Sequence, residues 1–253
     1  LIVVAQDPTA YGEDWGRPGA ICELLDRLQE IDGIRWIRIL YAYPERISDA
    51  FIAAMVRNTK VVPYLDLPIQ HCDDAVLKAM NRRGGRKEIE DAIARLRAAI
   101  PGITLRTTLI AGFPGETEEQ YAELCDFVKT VRFDRLGCFA YSAEENTVAA
   151  KMPNQIDEET KQRRADHIME LQAEVSAERE GEKVGHTYEC ICDGVDDETG
   201  MYLLRTKADC PEIDGNVLTP ADTPLETGAF YKVTITDSDT YDLYGYAEER
   251  LED

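Results

Sequence analysis

Residues 106–117 read RTTLIAGFPGET, a strand pattern that runs into a glycine–proline turn. The segment Thr107–Ala111 is apolar and β-branched without alternation, which predicts a strand that is covered on both faces. Gly112 and Gly115 can adopt backbone angles that other residues avoid, and they let a ligand approach the main chain. The turn alone fits either a ligand site or tight packing.

A helix signal follows this turn directly. Thr117 is placed to cap a helix over Glu118–Val131, and Gln120 completes a capping box. The carboxyl end of a parallel strand, next to a helix N-terminus, is where α/β proteins hold small ligands. The stretch therefore predicts a small-molecule site at this turn.

Working outward, strands and helices alternate. The predicted strands are Leu1–Ala5, Trp36–Leu40, Val61–Leu65, Thr104–Ala111 and Leu136–Tyr141. Between them, helical spacing predicts helices over Ala20–Ile31, Ser48–Met55, Ala75–Met80 and Glu88–Ile100, besides the helix capped by Thr117. This rhythm predicts an α/β fold with a parallel sheet and right-handed crossovers. Five strands do not close an eight-stranded barrel, so we expect a partial, open TIM-like βα barrel over residues 1–152.

The pattern changes in the last third of the chain. Asp157–Lys183 reads as a long charged helix within a connecting segment, residues 153–183. Short strands then follow at Thr187–Cys192, Met201–Thr206, Asn216–Leu218, Phe230–Thr236 and Asp242–Ala247. Gly, Pro and Asp punctuate them, which predicts a small all-β, OB-like barrel of five strands over residues 184–253.

The composition limits the class of protein. With 253 residues and 44% apolar residues, the chain can bury a substantial core. No apolar run approaches the ~20 residues of a membrane span, and LIVVAQDPTA lacks the features of a signal peptide. Because the first residue is not Met and lies inside a predicted strand, we expect an ordered or excised part of a longer protein.

Seven cysteines, an odd number, indicate a reducing cytoplasm rather than a disulfide framework. Cys125 and Cys138 fall in apolar runs and are expected to be buried, inert thiols. Cys190 and Cys192 share one face of a predicted strand. They are either packed thiols or a metal pair, although no other Cys or His lies near them at ligand spacing.

The charge is strongly negative and unevenly distributed. The chain carries a net charge of −21, and residues 184–253 hold 4 Lys+Arg against 17 Asp+Glu, a net of −13. Such a segment repels phosphate backbones and attracts basic partners. It is also compatible with a merely soluble acidic surface.

Polar or aromatic residues follow every strand of the predicted sheet. They are Gln6 and Asp7, then Tyr43, then Gln70 and His71, then the Gly112 turn, and last Tyr141. Because the carboxyl ends of parallel strands meet at one edge, they predict one mouth, as in barrel enzymes. Core packing remains open for Tyr43 and Tyr141, and a structural role remains open for His71.

Several strings resemble the methylthiotransferases of the radical S-adenosylmethionine superfamily over nearly the whole chain, most closely those of the RimO type. These strings are LIVVAQDPTAYG, LPIQHCDDAVLKAMNRRG, LRTTLIAGFPGETEEQY and FAYSAEENTVAAKMPNQ. In addition, ADCPEIDG and YDLYGYA are similar to the acidic C-terminal TRAM barrel of that family.

The resemblance implies an activity. Family members use S-adenosylmethionine and two 4Fe–4S clusters to methylthiolate a substrate, with electrons from an external donor. RimO-type enzymes modify an aspartate of the twelfth small-subunit ribosomal protein. A tRNA-modifying methylthiotransferase is the nearest alternative, and a non-catalytic module that binds a basic protein is an alternative of another class.

The resemblance also implies roles for residues. Gly112, Phe113, Pro114 and Gly115 match the turn on the adenosylmethionine side. Arg106 and Thr108 flank it, and an arginine suits a bidentate contact with a carboxylate. Gln70 and His71 are expected to meet the ribose or the substrate, while Gln6, Asp7, Tyr43 and Tyr141 line the substrate mouth.

One departure from the family is large. No Cys-x-x-x-Cys-x-x-Cys motif occurs, and in the family that loop precedes the strand with which this chain begins. We therefore expect truncation rather than loss, and no metal cluster bound to this chain. A smaller departure is Asn146 in place of the usual Gly, and since Asn tolerates left-handed angles the turn is expected to survive.

The expected partners follow from these observations. A basic ribosomal protein is expected to bind the acidic TRAM barrel, with no role for nucleic acid or a membrane. We expect a cytoplasmic monomer.

Overall fold

The computed structural model describes residues 1–220, 222 and 224–252. It divides into two compact units, Leu1–Gln172 and Ala173–Asp253. Along the described residues, no helix combines the length and the apolar composition that a membrane span requires.

The first unit is built on a parallel five-stranded sheet whose spatial order follows the chain. Its strands are β1 Ile2–Val3, β2 Ile37–Ile39, β3 Val61–Asp66, β4 Thr104–Ala111 and β5 Arg135–Ala140. Its helices are α1 Ala20–Gln29, α2 Asp49–Arg57, α3 Asp74–Ala79, α4 Arg86–Ala99, α5 Glu118–Val131 and the part of α6 Glu158–Gly181 that ends at Gln172. The predicted open α/β sheet is confirmed, and most element bounds differ from the predicted ones by only a few residues.

Local capping explains where the helices begin. The Gln120 amide donates to Thr117 Oγ1 at 3.3 Å, and the Thr117 amide donates to Gln120 Oε1 at 2.9 Å. The predicted capping box of α5 is therefore present. Ser48 caps α2 in the same way, because its Oγ accepts the Phe51 amide at 3.1 Å. Each cap satisfies backbone donors that the first helical turn leaves without a partner.

The core of the first unit lies between the sheet and the helices. Leu65, Leu105 and Leu109 of the sheet are fully buried in one cluster with Phe127 of α5 and Ile168 of α6. Burying side chains of this size contributes ~1.5–3 kcal/mol each. The helices therefore cover one face of the sheet with a continuous apolar layer.

Burial along β4 alternates, contrary to the prediction of a strand covered on both faces. Leu105, Leu109 and Ala111 are buried, whereas Thr108 and Ile110 remain partly accessible. The reason is that successive side chains point to opposite faces, and only one face of this sheet carries the helical layer. β4 therefore presents a second, partly open face.

The second unit contains a closed barrel in the order β10-β8-β7-β6-β9. Its strands are β6 Thr187–Val195, β7 Tyr202–Arg205, β8 Val217–Thr219, β9 Phe230–Ser238 and β10 Leu243–Leu251. Alternate side chains fill the interior, among them Cys190, Cys192, Leu204, Val233 and Ile235, all fully buried. The predicted five-stranded barrel is confirmed, and closure leaves no free sheet edge.

Candidate functional site

The carboxyl ends of the five parallel strands lie at one edge of the sheet. Two non-glycine residues at this edge have left-handed backbones, Tyr41 after β2 (φ +64°) and Gln70 after β3 (φ +70°). Non-glycine residues adopt this region at a cost of ~1–3 kcal/mol and cluster at functional sites. Two of the seven described non-glycine residues with positive φ thus lie where the sequence predicts the mouth.

The open face of the sheet carries the first group of predicted cofactor residues. β4 and β5 pair in register, with Thr108 opposite Gly137 and Ile110 opposite Phe139. Phe139, on the edge strand β5, is 62% exposed, which is unusual for a phenylalanine. Arg106, Thr108 and Ile110 therefore share one accessible face with an exposed aromatic ring.

Arg106 is held by a buried carboxylate. Its Nη1 donates to Asp66 Oδ1 at 3.1 Å, and the Asp66 side chain is only 1% exposed while that of Arg106 is 17% exposed. Asp66 Oδ2 also accepts the Tyr41 amide at 3.2 Å, which stabilises the left-handed backbone of Tyr41. Asp66, at the end of β3, thus connects the segment after β2 with the first half of β4 and leaves Arg106 partly accessible.

The glycine turn after β4 has the predicted left-handed backbone, with φ +77° at Gly112 and +86° at Gly115. At Gly112, however, a Cβ atom would lie 2.3 Å from Cγ of Lys161 in α6, whereas a Cβ at Gly115 would meet open space. The Gly112 amide donates to both carboxylate oxygens of Glu116, at 3.1 and 3.0 Å. Gly112 therefore leaves room for Lys161 of α6. Gly115, in contrast, has open space beside its main chain.

A buried network of charged side chains lies behind the turn. Glu116 has a fully buried carboxylate, and Arg164 Nη1 of α6 donates to its Oε1 at 2.7 Å. His71 is also fully buried, with Nε2 lying 3.4 Å from Glu116 Oε2. Because His71 Nδ1 accepts the Asp73 amide at 2.9 Å, a neutral ring carries its proton on Nε2, facing the carboxylate. His71 thus joins the loop after β3 to the turn after β4.

Phe113, Pro114 and Tyr141 form a packed wall beside this network. All three are buried, and the rings of Phe113 and Tyr141 meet edge to face with centroids 5.2 Å apart. Lys161 Nζ donates to the Tyr141 carbonyl at 3.1 Å and lies 5.5 Å from the centre of its ring. Among the described residues, no partner accepts a hydrogen bond from the buried Tyr141 hydroxyl.

The remaining mouth residues differ in their surroundings. Asp7 caps the turn after β1 by accepting the Thr9 amide at 3.0 Å, and it pairs with Arg46 Nε at 2.9 Å. Tyr43 is half-buried beneath the Arg82 guanidinium, 4.5 Å from its ring centre. Gln6 is exposed, and Gln70 is fixed against β4 because its backbone amide donates a hydrogen bond to the Thr108 carbonyl at 2.9 Å.

The three charged residues that support the glycine turn, Glu116, Lys161 and Arg164, are absent from the sequence-based prediction. Glu116 follows the glycine turn directly, so a carboxylate within an otherwise apolar and glycine-rich stretch was an available signal. Lys161 and Arg164 lie in a helix whose charged composition predicts exposure, yet they are 2% and 4% exposed. Their roles follow only from tertiary contacts.

The cysteines are dispersed along the chain, and burial raises the pKa of six of them. Within residues 1–220, 222 and 224–252, no group of three or more His, Cys, Asp or Glu side chains is arranged to hold a metal ion. Burial raises the pKa of Cys72 to about 12 and that of Cys138 to about 12. The expected burial of Cys125 is confirmed. Cys138, which was also expected to be buried, is only half-buried.

We expect the folded protein to resist alkylation at Cys72. Since a raised pKa leaves almost no thiolate at pH 8, iodoacetamide should label this residue only after denaturation. Site-resolved mass spectrometry of native and urea-treated samples measures this directly. Labelling of native Cys72 at the rate of free cysteine would contradict the assignment.

Two segments of the chain match known domain families. Residues 1–128 match the Radical SAM superfamily, and residues 184–247 match the TRAM domain. The chain therefore belongs to the radical S-adenosylmethionine superfamily.

Among curated proteins, the chain is 46% identical to "Ribosomal protein uS12 methylthiotransferase RimO" of Pelobacter propionicus over 251 residues, 99% of this chain and 56% of that protein. It is also 46% identical to the protein of the same name from Lachnoclostridium phytofermentans over 248 residues, 98% of this chain and 56% of that protein. The resemblance to RimO-type methylthiotransferases is thus confirmed, and the chain spans about half the length of these relatives.

Solved structures share the fold. Coproporphyrinogen III oxidase (HemN) from Escherichia coli, described as a radical SAM enzyme, matches with a TM-score of 0.52 and 20% identity over 62% of this chain and 37% of its own. The archaeal Elp3 of Methanocaldococcus infernus matches with a TM-score of 0.50 and 16% identity over 68% of this chain and 44% of its own.

Proposed function

We propose that the protein containing this chain methylthiolates an aspartate side chain of ribosomal protein uS12 by radical S-adenosylmethionine chemistry. The observation that carries this proposal is the 46% identity, along 99% of the chain, to a protein named uS12 methylthiotransferase. The arrangement of the sheet supports it, because an accessible face bearing Arg106, Thr108 and Ile110 leads to the glycine turn.

The residues of the open face fit S-adenosylmethionine. Arg106 offers a partly accessible guanidinium for a carboxylate, Thr108 offers a hydroxyl, and Ile110 and Phe139 offer apolar surface to a nucleoside. Gly115 leaves space beside the main chain, and Gln70 and His71 border the same turn. When bound and reduced, the cofactor supplies a radical that abstracts hydrogen from carbon. The chain's own part is to bind, orient and shield it.

The described residues do not fit a 4Fe–4S cluster, because no three thiolates are arranged for it. We infer that residues of the longer protein hold the two clusters and receive electrons from an external donor. This 253-residue chain alone should neither bind the catalytic cluster nor turn over. Anaerobic reconstitution followed by EPR tests this, and a 4Fe–4S signal on this chain would contradict it.

The charge of the closed barrel supports a basic protein as substrate. All four cations of residues 184–253 are already paired, in the bridges Arg205–Asp193, Lys207–Glu189, Lys232–Glu249 and Arg250–Glu226. The seventeen carboxylates of this segment outnumber these four cations, so its net charge is −13. A surface of this kind attracts a cationic polypeptide and repels RNA. We expect uS12 binding to weaken as salt rises, because screening shortens the reach of charges to ~8 Å at physiological ionic strength.

The decisive experiment uses the full-length, cluster-reconstituted protein with purified uS12 and, separately, with tRNA. Mass spectrometry should find one methylthiolated aspartate in uS12 and no modified adenosine in tRNA. Modification of tRNA alone would favour the tRNA methylthiotransferase. Binding of uS12 without modification, by a protein that cannot cleave S-adenosylmethionine, would favour a non-catalytic module. Gel filtration and cell fractionation test the proposed monomer and its cytoplasmic location.

A further inference from the structure

Two aromatic rings stand exposed on the loop that follows β1. Trp15 is 60% exposed and Tyr11 is 39% exposed. The rings meet edge to face, with centroids 5.3 Å apart and an interplanar angle of 79°. Rings that pack mainly on each other contribute little to the core, and an exposed aromatic patch indicates an interaction surface.

The loop is held in one shape. The Trp15 and Arg17 amides both donate to the Gly12 carbonyl, at 3.1 and 2.9 Å. Gly12 has φ +87°, and a Cβ atom there would lie 2.6 Å from Cβ of Ala20 and 2.9 Å from the Arg17 carbonyl. Only glycine allows this approach. The aromatic pair is therefore presented in a fixed orientation, which lowers the entropy cost of binding.

The loop is also anchored to the neighbouring strand end. Arg46, just after β2, contacts Asp7 Oδ2 through Nε at 2.9 Å and pairs with Glu13 as well. Both segments follow the carboxyl ends of parallel strands, so the aromatic pair belongs to the same edge of the sheet as the candidate site. A macromolecule that presents a side chain to the mouth could contact this loop.

The charge around the two rings favours a cationic partner over an anionic one. Asp14 is exposed between the two rings in sequence, and Arg17 is paired with Glu23. Aromatic faces attract the ammonium of Lys and the guanidinium of Arg, and a nearby carboxylate strengthens that preference. Tyr11, Asp14 and Trp15 offer no cation to a phosphate backbone, and Arg17 of the same loop already has Glu23 as its counter-ion.

We propose that Tyr11, Asp14 and Trp15 form a docking surface for a Lys- or Arg-rich segment of the protein substrate, next to the residue that is modified. This inference rests on the proposed function, because it takes uS12 as the client. It adds a specificity-determining contact on the first unit, separate from the acidic barrel.

The test measures KM and Kd for uS12 with the full-length, cluster-reconstituted protein. Trp15→Ala should raise both about tenfold, as expected for an aromatic anchor. Trp15→Phe should restore most of the affinity because it keeps a ring, whereas Trp15→Leu should not. Val56→Ala is the matched control, since Val56 on α2 is 55% exposed and far along the chain from the loop. Circular dichroism confirms that each variant is folded.

The outcomes separate the two proposals. If the wild-type protein does not modify uS12, the proposed function fails and this surface fails with it. If the wild-type protein modifies uS12 and Trp15→Ala matches it in KM and Kd, the docking surface alone is overturned. It is also overturned if Trp15→Ala weakens tRNA binding instead, or if iodide cannot quench Trp15 in the free full-length protein, because another part of the chain then covers the pair.

Discussion

Replacing Glu116 by glutamine is expected to lower the free energy of unfolding of the first unit by about 3 kcal/mol. The substitution keeps the shape of the side chain and an acceptor for the Gly112 amide, but it removes the negative charge. Arg164, 4% exposed at its side chain, then loses its buried counter-ion. The guanidinium keeps only the exposed Glu118 as a counter-ion, and a buried charge that loses its buried partner is costly because its hydration is not replaced.

The second ion pair of Arg164, with Glu118, supplies the control. Its Nη2 contacts Glu118 Oε1 at 2.6 Å, but the Glu118 side chain is 66% exposed. Glu118→Gln should therefore cost no more than ~1 kcal/mol, as for other surface pairs. Both tryptophans, Trp15 and Trp36, lie in the first unit, so fluorescence-monitored urea unfolding reports on it. Equal losses for Glu116→Gln and Glu118→Gln would show that burial of the pair does not matter.

Replacing Gly112 by alanine is expected to cost about 3 kcal/mol, since left-handed strain of ~1–2 kcal/mol adds to overpacking of ~1–3 kcal/mol. The new methyl group would lie 2.3 Å from Lys161 Cγ and 3.1 Å from its Cα. A flexible side chain can move aside, but the backbone of α6 cannot do so cheaply. The variant should also displace α6 from the turn, which weakens the Lys161–Tyr141 contact.

Gly115→Ala separates the contribution of left-handed backbone strain from that of overpacking. Gly115 has φ +86° but open space around it, so alanine there meets only the backbone strain. We expect a loss of ~1–2 kcal/mol, clearly below that of Gly112→Ala. If the two variants lose the same stability in urea, close packing of Lys161 is not the reason for glycine at position 112.

Glu116→Gln and Gly112→Ala change the same buried arrangement of side chains behind the glycine turn. Glu116, His71, Arg164 and Lys161 fix the loops that follow β3, β4 and β5, which border the open face of the sheet. Because a binding site must hold its groups within a narrow range of geometry, this buried support is as important as the residues that would touch a ligand. Loss of stability and loss of cofactor binding are therefore expected to occur together in Glu116→Gln.

Much of the architecture could be predicted from local patterns. The bounds of β4 and α5 agree with the prediction at both ends, because a β-branched run, a glycine turn and a Thr–Gln capping box are local signals. Asn146 has φ +67°, as expected for Asn in place of Gly. The edge strand β1 is the least well predicted, since it is only Ile2–Val3 where Leu1–Ala5 was expected. Edge strands have one partner, so their length depends on that partner.

The sequence by itself determined the order of strands and helices, the closed acidic barrel and the family, because periodicity, turn residues and charge are properties of neighbouring positions. Only the tertiary structure decided that Gly112 accommodates Lys161, that Glu116 meets Arg164 48 positions away, and that Tyr11 and Trp15 stay exposed. The physical reason is that burial of a charge and exposure of a ring depend on which distant segments the fold brings alongside, and no local pattern encodes that.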